Sequence, residues 1–206
     1  MTEALWYLGR GTGLTALVMF TVSVVLGVLT RSGRPAPGLS RFAIADLHRI
    51  AALTGTVLVG VHVVSLLFDP YAQLKLVDLM VPFLAAYRPL YLALGTLAVD
   101  VLVAVAVTSL LRHRLGPRAF RVVHWGTYPL WAFALVHALG SGTDAGSAWF
   151  RAVAATCALA VALAAGWRTT TAYAERGFRR VPRTAVDRPE TARAARIART
   201  TRTVAR

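Results

Sequence analysis

Four histidines lie in strongly apolar stretches of the chain and form two pairs with similar spacing. His48 and His62 are fourteen residues apart, and His124 and His137 are thirteen apart. At about 1.5 Å per residue, either separation covers roughly 20 Å along a helix, most of the roughly 30 Å hydrocarbon layer of a membrane. Each pair therefore places one imidazole near each face of a bilayer. Ionisable side chains are costly in that setting, which favours a functional role for all four.

The chemistry that best suits these histidines is ligation of haem iron. Neutral imidazole is an axial ligand of haem, and two imidazoles saturate the iron, which suits electron transfer. A divalent-metal site on one helix usually needs ligands three or four residues apart, and the four histidines lack that spacing. A small transporter or proton pathway that uses the histidines and Asp100 without haem is the alternative. The single cysteine, Cys157, cannot form a Cys-x-x-Cys-His attachment, so any haem is expected to be noncovalent.

The composition of the chain predicts that these histidines lie in membrane helices. Of the 206 residues, 56% are hydrophobic and only 16% are charged, which is typical of a membrane protein. Apolar runs that are long enough, or nearly so, to cross a bilayer recur at about residues 12–30, 43–68, 89–111, 122–139 and 148–167. The sequence therefore predicts an all-α integral membrane bundle of about five transmembrane helices.

The distribution of basic residues predicts the orientation of this bundle. The 23 Lys and Arg residues are concentrated in three segments, which hold 4, 4 and 11 of them: 31–49, 112–121 and 168–206. Because Lys and Arg are in excess in cytoplasmic loops, we expect the N-terminus outside the cell membrane and the C-terminus in the cytoplasm. His48 and His124 then share the inner level, and His62 and His137 share the outer level. Each level could hold a bis-histidine site.

The net charge of +14 comes mainly from these cytoplasmic segments. It indicates contact with anionic membrane lipid rather than with nucleic acid. Between Arg193 and Arg206, arginines recur every three or four residues, so this part is either a solvated flexible tail or a basic helix that binds the membrane surface or a soluble partner. We divide the chain into a membrane haem-binding domain, 1–167, and a basic, flexible cytoplasmic tail, 168–206.

The two histidine pairs, on alternate helices with one span between them, resemble the ferric reductase-like transmembrane domain. This family is shared by ferric reductases, NADPH oxidases and the haem-binding membrane subunit of the periplasmic methionine sulfoxide reductase system. The resemblance covers roughly residues 5–167 and includes the segment Arg121-Val-Val-His124-Trp-Gly-Thr-Tyr-Pro129. It implies two noncovalent b-type haems, each between two histidines: His48 with His124 (inner haem iron) and His62 with His137 (outer haem iron). Well-known members have six spans, whereas this chain has about five predicted spans, as though the first family helix were missing.

The resemblance also implies a function, that of an oxidoreductase component for electron transport. Electrons would enter the inner haem from a separate flavoprotein or from quinol. They would leave to an extracytoplasmic acceptor such as ferric iron, oxygen or a partner reductase. Large members carry a flavin and nicotinamide domain after the last span, but residues 168–206 contain no glycine-rich dinucleotide turn. We therefore expect no FAD or NAD(P)H site in this chain and assign no catalytic residue.

Other residues near the histidines are candidates for holding the haems. Arg49 and Arg121, each near an inner histidine, could bind the anionic propionates, and Arg88 could serve the outer haem. Ordinary flanking charge that reaches the lipid headgroups is the alternative for each arginine. Gly55 and Gly60 could admit a flat porphyrin, or they could serve helix packing.

Two residues within the spans carry further expectations. Thirteen residues fall about 140° short of four helical turns, so a straight helix would turn His137 away from the face of His124. Pro129 lies between them and either bends the helix so that both imidazoles face the second span or makes a tolerated bend. Asp100 lies near the middle of the third span, where we expect it to face the bundle and meet a polar partner. His113, between two arginines, is expected to be exposed.

Overall fold

A computed structural model describes residues 2–32, 38 and 40–170 of the chain. Within these residues the chain forms seven α-helices and one short 3-10 helix, with no β-strand. The helices are α1 (Thr2–Ser32), α2 (Arg41–Leu67), α3 (Leu76–Met80), α4 (Pro89–Leu110), α5 (Arg112–Trp125), α6 (Thr127–Ser141) and α7 (Ala148–Arg168), with the 3-10 helix at Thr143–Gly146 between α6 and α7. The predicted all-α class is confirmed. The prediction for the basic tail lies outside the described residues from residue 171 onward.

Four helices, α1, α2, α4 and α7, are each long and apolar enough to cross a membrane. Many of their large apolar side chains face outward, since Leu53, Val57 and Leu163 are 61%, 66% and 64% exposed. Such exposure is costly in water but normal where lipid tails cover the surface of a bundle. The protein is therefore an integral membrane helical bundle, as its composition predicts.

The predicted fourth span, 122–139, is divided into two helices at Gly126. The amide of Gly126 donates to the carbonyl of Val123 at 2.9 Å, a bond one residue shorter than the α-helical bond. Pro129 has no amide hydrogen, so the carbonyl of Trp125 loses its α-helical donor. The hydroxyl of Thr127 donates to the carbonyl of His124 at 2.8 Å and satisfies another carbonyl at the break. The bend therefore lies between the two histidines, but it is centred at Gly126 rather than at Pro129.

Helix α5 begins earlier than the apolar run suggests and contains a break of its own. Gly116 has a positive φ of 75°, a conformation that glycine adopts without a steric penalty. Pro117 follows it, at the first turn of the helical segment that leads to His124, where proline is tolerated. The predicted basic loop, 112–121, is therefore largely helical. His113 in this segment is exposed, as expected.

Helix α1 lies at the centre of the bundle, with contacts to α2, α6 and α7, while α4 packs mainly on α6. One buried cluster joins α1, α6 and α7 through Leu17, Trp131, Cys157 and Val161. The indole nitrogen of Trp131 donates to the hydroxyl of Thr21 at 2.9 Å, which satisfies both buried groups. This packing fixes α6, which carries His137, relative to α1. Helix α1 in turn packs against α2, which carries His48 and His62.

Candidate functional site

The structure brings the four predicted histidines together as two pairs at different levels. The ring centres of His48 and His124 are 6.2 Å apart, and their planes make an angle of 78°. The ring centres of His62 and His137 are 6.4 Å apart, with an angle of 82°. Both pairs join α2 to the broken α5 and α6 segment. The rings are therefore close in the combination that the family resemblance implies, and their role as ligands stays a prediction.

The separation within each pair fits a metal ion held between two imidazoles. A metal to imidazole nitrogen bond is about 2 Å long, and the nitrogen lies about 1 Å from the ring centre, so two rings on opposite sides of one metal have centres roughly 6 Å apart. The two observed distances agree with this value. Among the described residues, no three His, Cys, Asp or Glu side chains cluster as a metal site. Two imidazoles at each level suit haem, because the porphyrin itself supplies the other four nitrogens.

Three of the four histidines are oriented by backbone carbonyls of a neighbouring helix. The Nδ1 atoms donate at 2.8 Å, 2.6 Å and 2.8 Å to these oxygens: His48 to Ser23, His62 to Gly9, and His137 to Tyr91. A carbonyl can only accept, so the proton is assigned to Nδ1 and the lone pair to Nε2. Metal-binding histidines usually have such a partner, which fixes the tautomer and raises the basicity of the ligating nitrogen. The three imidazoles are therefore prepared to bind a metal through Nε2.

The same three imidazoles each lie against a glycine of the neighbouring helix. A Cβ atom would come within 3.2 Å of His48 at Gly27, 2.8 Å of His62 at Gly13 and 2.7 Å of His137 at Gly95. Each glycine follows the accepting carbonyl by four residues, one turn along the helix. The missing side chains allow the rings to reach the carbonyls, so we call each such couple a carbonyl–glycine pair.

A role beside a histidine was not predicted for these glycines, although the sequence contains a signal for two of them. Gly13 and Gly27 are fourteen residues apart on α1, the same spacing as the histidines of α2. The two glycines that were expected to admit a porphyrin, Gly55 and Gly60, lie elsewhere. Gly55 packs against the ring of Phe20, which supports its helix-packing alternative, and Gly60 has no atom near its Cβ position. Neither of them was found beside a histidine.

His124 differs from the other three histidines. Its Nδ1 atom is buried, and no described residue forms a hydrogen bond with it. Its ring stacks on Phe120 one turn earlier in α5, with the ring centres 5.2 Å apart and an interplanar angle of 26°. The inner pair therefore contains one ring held by a carbonyl and one held by packing.

The predicted propionate partners of the inner haem lie near the inner histidines but face outward. Arg49 forms an exposed ion pair with Asp46 at 3.4 Å. Arg121 is exposed on α5, three residues before His124. The role of both arginines toward an anion beside His48 or His124 stays a prediction.

The arginine suggested for the outer haem, Arg88, connects two helices near His137, and its role toward a haem stays a prediction. Arg88 has a left-handed backbone conformation just before α4 and donates to the carbonyl of Gly140 near the end of α6. Its guanidinium also lies over the ring of Tyr87, 5.4 Å from the ring centre. Arg88 therefore ties the outer ends of α4 and α6 together, close to the level of His137.

The expectation for Asp100 was wrong. Asp100 is exposed on α4 and forms no hydrogen bond or ion pair within the part of the chain that the structure describes. The buried residues of α4 are Ala93, Thr96, Ala98 and Leu102. Asp100 lies about half a helical turn from Ala98 and Leu102 and one turn after Thr96, and its own side chain is exposed.

Comparison with known proteins gives a family assignment. The profile of the family described as "Ferric reductase like transmembrane component" matches residues 12–135. The match covers well over half of the chain, includes His48, His62 and His124, and ends two residues before His137. No curated protein and no solved structure matches the chain. Domains of this type generally bind haem and transfer electrons with partner redox proteins. The chain is a membrane electron-transfer component and belongs to the ferric reductase-like transmembrane family.

Proposed function

We propose that the protein is a diheme b-type electron conduit of the cell membrane. The inner haem lies between His48 and His124, and the outer haem lies between His62 and His137. The observation that carries this proposal is that the four imidazoles form two pairs at two levels of one bundle. The ring centres are 6.2 Å apart in one pair and 6.4 Å apart in the other. When bound, haem supplies reversible one-electron chemistry at each level.

The protein residues hold and tune these two sites. Carbonyls on α1 and α4 accept the Nδ1 hydrogens of three histidines and leave their Nε2 lone pairs available to bind iron. Two imidazoles at one iron leave no free coordination position for oxygen, which favours electron transfer over binding of small gases. Fourteen residues of α2 separate the two levels, and apolar helices surround both of them.

The proposed direction of electron flow is from the cytoplasm to the outside. The excess of basic residues in segments 31–49 and 112–121 supports a cytoplasmic location for the ends near His48 and His124. A separate flavoprotein or quinol would reduce the inner haem, with Arg49 and Arg121 near its propionates. The acceptor outside is ferric iron, oxygen or a partner reductase. In this proposal residues 1–167 form the haem-binding domain, and the tail from 168 to 206 remains in the cytoplasm.

The alternative function, proton transfer without haem, has less support. It requires a carboxylate in a path with the histidines, and Asp100 lies on the exposed side of α4. The Nδ1 hydrogens of three histidines are also bonded to backbone carbonyls, which cannot pass a proton onward.

The test is to purify the full chain from haem-replete cells, record oxidised and reduced spectra, and measure haem per chain. We expect two low-spin haems. His62→Ala and His137→Ala should each remove the same haem, because they lie in one pair. His113→Ala is the matched control, since His113 is exposed, and it should retain both haems. A wild-type chain that contains no haem under these conditions contradicts the proposal.

A further inference from the structure

Helix α1 carries two of the three carbonyl–glycine pairs, and these two are regularly spaced. Gly9 and Gly13 serve His62, and Ser23 and Gly27 serve His48. The two carbonyls are fourteen residues apart, and so are the two glycines. A shift of fourteen residues along this neighbouring helix therefore leads from the outer level to the inner level.

The same shift on α4 leads to a position that breaks the pattern. Tyr91 and Gly95 form the carbonyl–glycine pair at His137. Fourteen residues later, the corresponding carbonyl belongs to Val105, and Ser109 stands where a glycine is expected. The histidine without a carbonyl partner, His124, is the one at this level. The level at which α4 has a serine in place of a glycine is therefore the level of the histidine that has no carbonyl partner.

The contacts between α4 and α6 support this alignment. A Cβ atom at Gly126 would lie 3.1 Å from the side chain of Val101. Gly140 lies against Tyr91 and Gly126 against Val101, so the segment that carries His124 and His137 runs antiparallel to α4. His124 precedes Gly126 in the direction of the inner level, and Val105 lies one turn beyond Val101 in the same direction. The carbonyl of Val105 is therefore the one at the level of His124.

The carbonyl of Val105 already accepts a hydrogen bond from a side-chain hydroxyl. Ser109 Oγ donates to the carbonyl oxygen of Val105 at 2.6 Å. Thr108 Oγ1 lies 3.1 Å from the same oxygen. Thr12 makes an equivalent contact of 3.1 Å with the carbonyl of Gly9, which still accepts the Nδ1 hydrogen of His62. A neighbouring threonine is therefore compatible with the imidazole bond, and Ser109 is the feature that distinguishes the inner level of α4.

We infer that Ser109 is a positioning residue that withholds the Val105 carbonyl from His124. This inference rests on the proposed haem function. A carbonyl bond to Nδ1 makes an imidazole more basic and stabilises the oxidised iron that it binds. His124 lacks this bond, so the inner haem is easier to reduce than it would be with two carbonyl-bonded ligands. The serine thereby favours acceptance of an electron on the cytoplasmic side.

The test is a redox titration of the purified full chain that follows haem absorbance and haem content. Ser109→Gly should lower the midpoint potential of one haem, leave the other unchanged, and slow loss of the affected haem about tenfold or more. The shift should persist in a His62→Ala background, which retains the inner haem, and disappear in a His48→Ala background. Ser109→Ala should shift the potential less, because its Cβ still separates the ring from the carbonyl. Thr108→Ala is the matched control and should leave both potentials unchanged.

The reciprocal variant keeps the test decisive if Ser109→Gly does not accumulate in the membrane. Gly27→Ser introduces a hydroxyl beside the Ser23 carbonyl and should raise the potential of the inner haem, because the Nδ1 hydrogen of His48 loses this carbonyl and keeps only the Ser23 hydroxyl, 3.1 Å away. If Ser109→Gly and Gly27→Ser both bind two haems and neither changes a midpoint potential, the role of Ser109 is overturned and the proposed function remains intact. Equal shifts in Thr108→Ala and Ser109→Gly also overturn it. A wild-type protein without haem overturns both proposals.

Discussion

The outer and inner histidine pairs have nearly the same separation but are held in different ways. At the outer level, His62 and His137 both donate to carbonyls and both lie against glycines. At the inner level only His48 does so, while His124 stacks on Phe120. Helix packing therefore sets the distance between the rings at both levels, whereas residues of α1 and α4 set the direction and proton position of three of the four rings.

The two ends of the bundle are also tied together by different contacts. At the outer end, Arg10 of α1 forms an ion pair with Asp144 in the 3-10 helix. At the inner end, Arg168 of α7 lies 4.4 Å from the ring centre of Trp125 and donates to the hydroxyl of Tyr128 at 2.9 Å. The inner contact therefore holds the residues on both sides of the break at Gly126. A bent segment that carries two histidines needs such support, because the break removes helical hydrogen bonds.

The largest expected effect is at the outer pair, where both rings depend on missing side chains. Gly95→Leu places its Cβ 2.7 Å from Nδ1 of His137, so the ring must leave the carbonyl of Tyr91. Overpacking of this kind costs about 1–3 kcal/mol. We expect the outer haem to be lost and the inner haem to remain, measured as haem per chain.

Gly166→Leu is the control for this prediction, because no atom lies within 4 Å of its Cβ position and it lies on α7, which carries no histidine. It should retain both haems. Retention of both haems by Gly95→Leu, in a protein that is inserted and folded, would contradict the importance of close approach at the outer level.

The next prediction compares the two levels on one helix with one substitution. Gly13→Ala would place a Cβ 2.8 Å from His62, and Gly27→Ala would place one 3.2 Å from His48. The first distance requires a shift of the ring, while the second requires only a few tenths of an ångström. Haem should therefore dissociate faster from the outer site of Gly13→Ala than from the inner site of Gly27→Ala. Gly11→Ala, with open space around it, should match the wild type, and equal rates in all three variants would remove the distinction between the levels.

The sequence allowed the fold class and the grouping of the histidines to be predicted, because both depend on long-range spacing. Apolar runs identify helices, and similar separations on His48–His62 and His124–His137 place the rings at two common levels. The rotation of each helix about its axis is a different matter. In lipid all faces of a helix can be apolar, so hydrophobicity does not tell which face is inside the bundle. That is why Asp100 was expected to face the bundle, although its side chain is exposed.

The supporting glycines and the site of the bend were also beyond a single-sequence argument. Gly55 and Gly95 have similar apolar surroundings in the sequence. Only the structure distinguishes them, because Gly55 packs against Phe20 and Gly95 against His137. Pro129 was the visible cause of a bend, yet the shortened hydrogen bond lies at Gly126, because the backbone relieves the missing amide in the preceding turn.

A smaller effect is expected between the two levels, where Trp131 donates to Thr21. Trp131→Phe keeps an aromatic ring but leaves the Thr21 hydroxyl without this donor. Thr21 still donates to the carbonyl of Leu17 at 2.8 Å, so the loss should be limited to about 1 kcal/mol. We expect a lower unfolding temperature of the purified protein, with both haem potentials unchanged. A change at only one haem would indicate that this contact belongs to one level and not to the shared core.

The smallest effect is expected at the exposed inner surface, where Arg49 pairs with Asp46. The side chains of both residues are 64% exposed, and ion pairs of this kind contribute about 0–1 kcal/mol because water and salt screen them. Asp46→Asn should therefore leave the unfolding temperature and both haem potentials nearly unchanged. Arg49→Gln should also leave stability unchanged, but it should lower the potential of the inner haem slightly, because a nearby positive charge favours the reduced state.

The salt dependence of the Arg49→Gln shift gives this last prediction its control. The shift should shrink as ionic strength rises from about 0.01 M to 1 M, over which the screening length falls from roughly 30 Å to 3 Å. Asp46→Asn removes the same ion pair without removing the cation, so an equal downward shift in both variants would exclude a direct role for Arg49 at the inner propionates. A shift of the outer haem in Arg49→Gln would exclude it as well, because that haem lies about four helical turns away along α2.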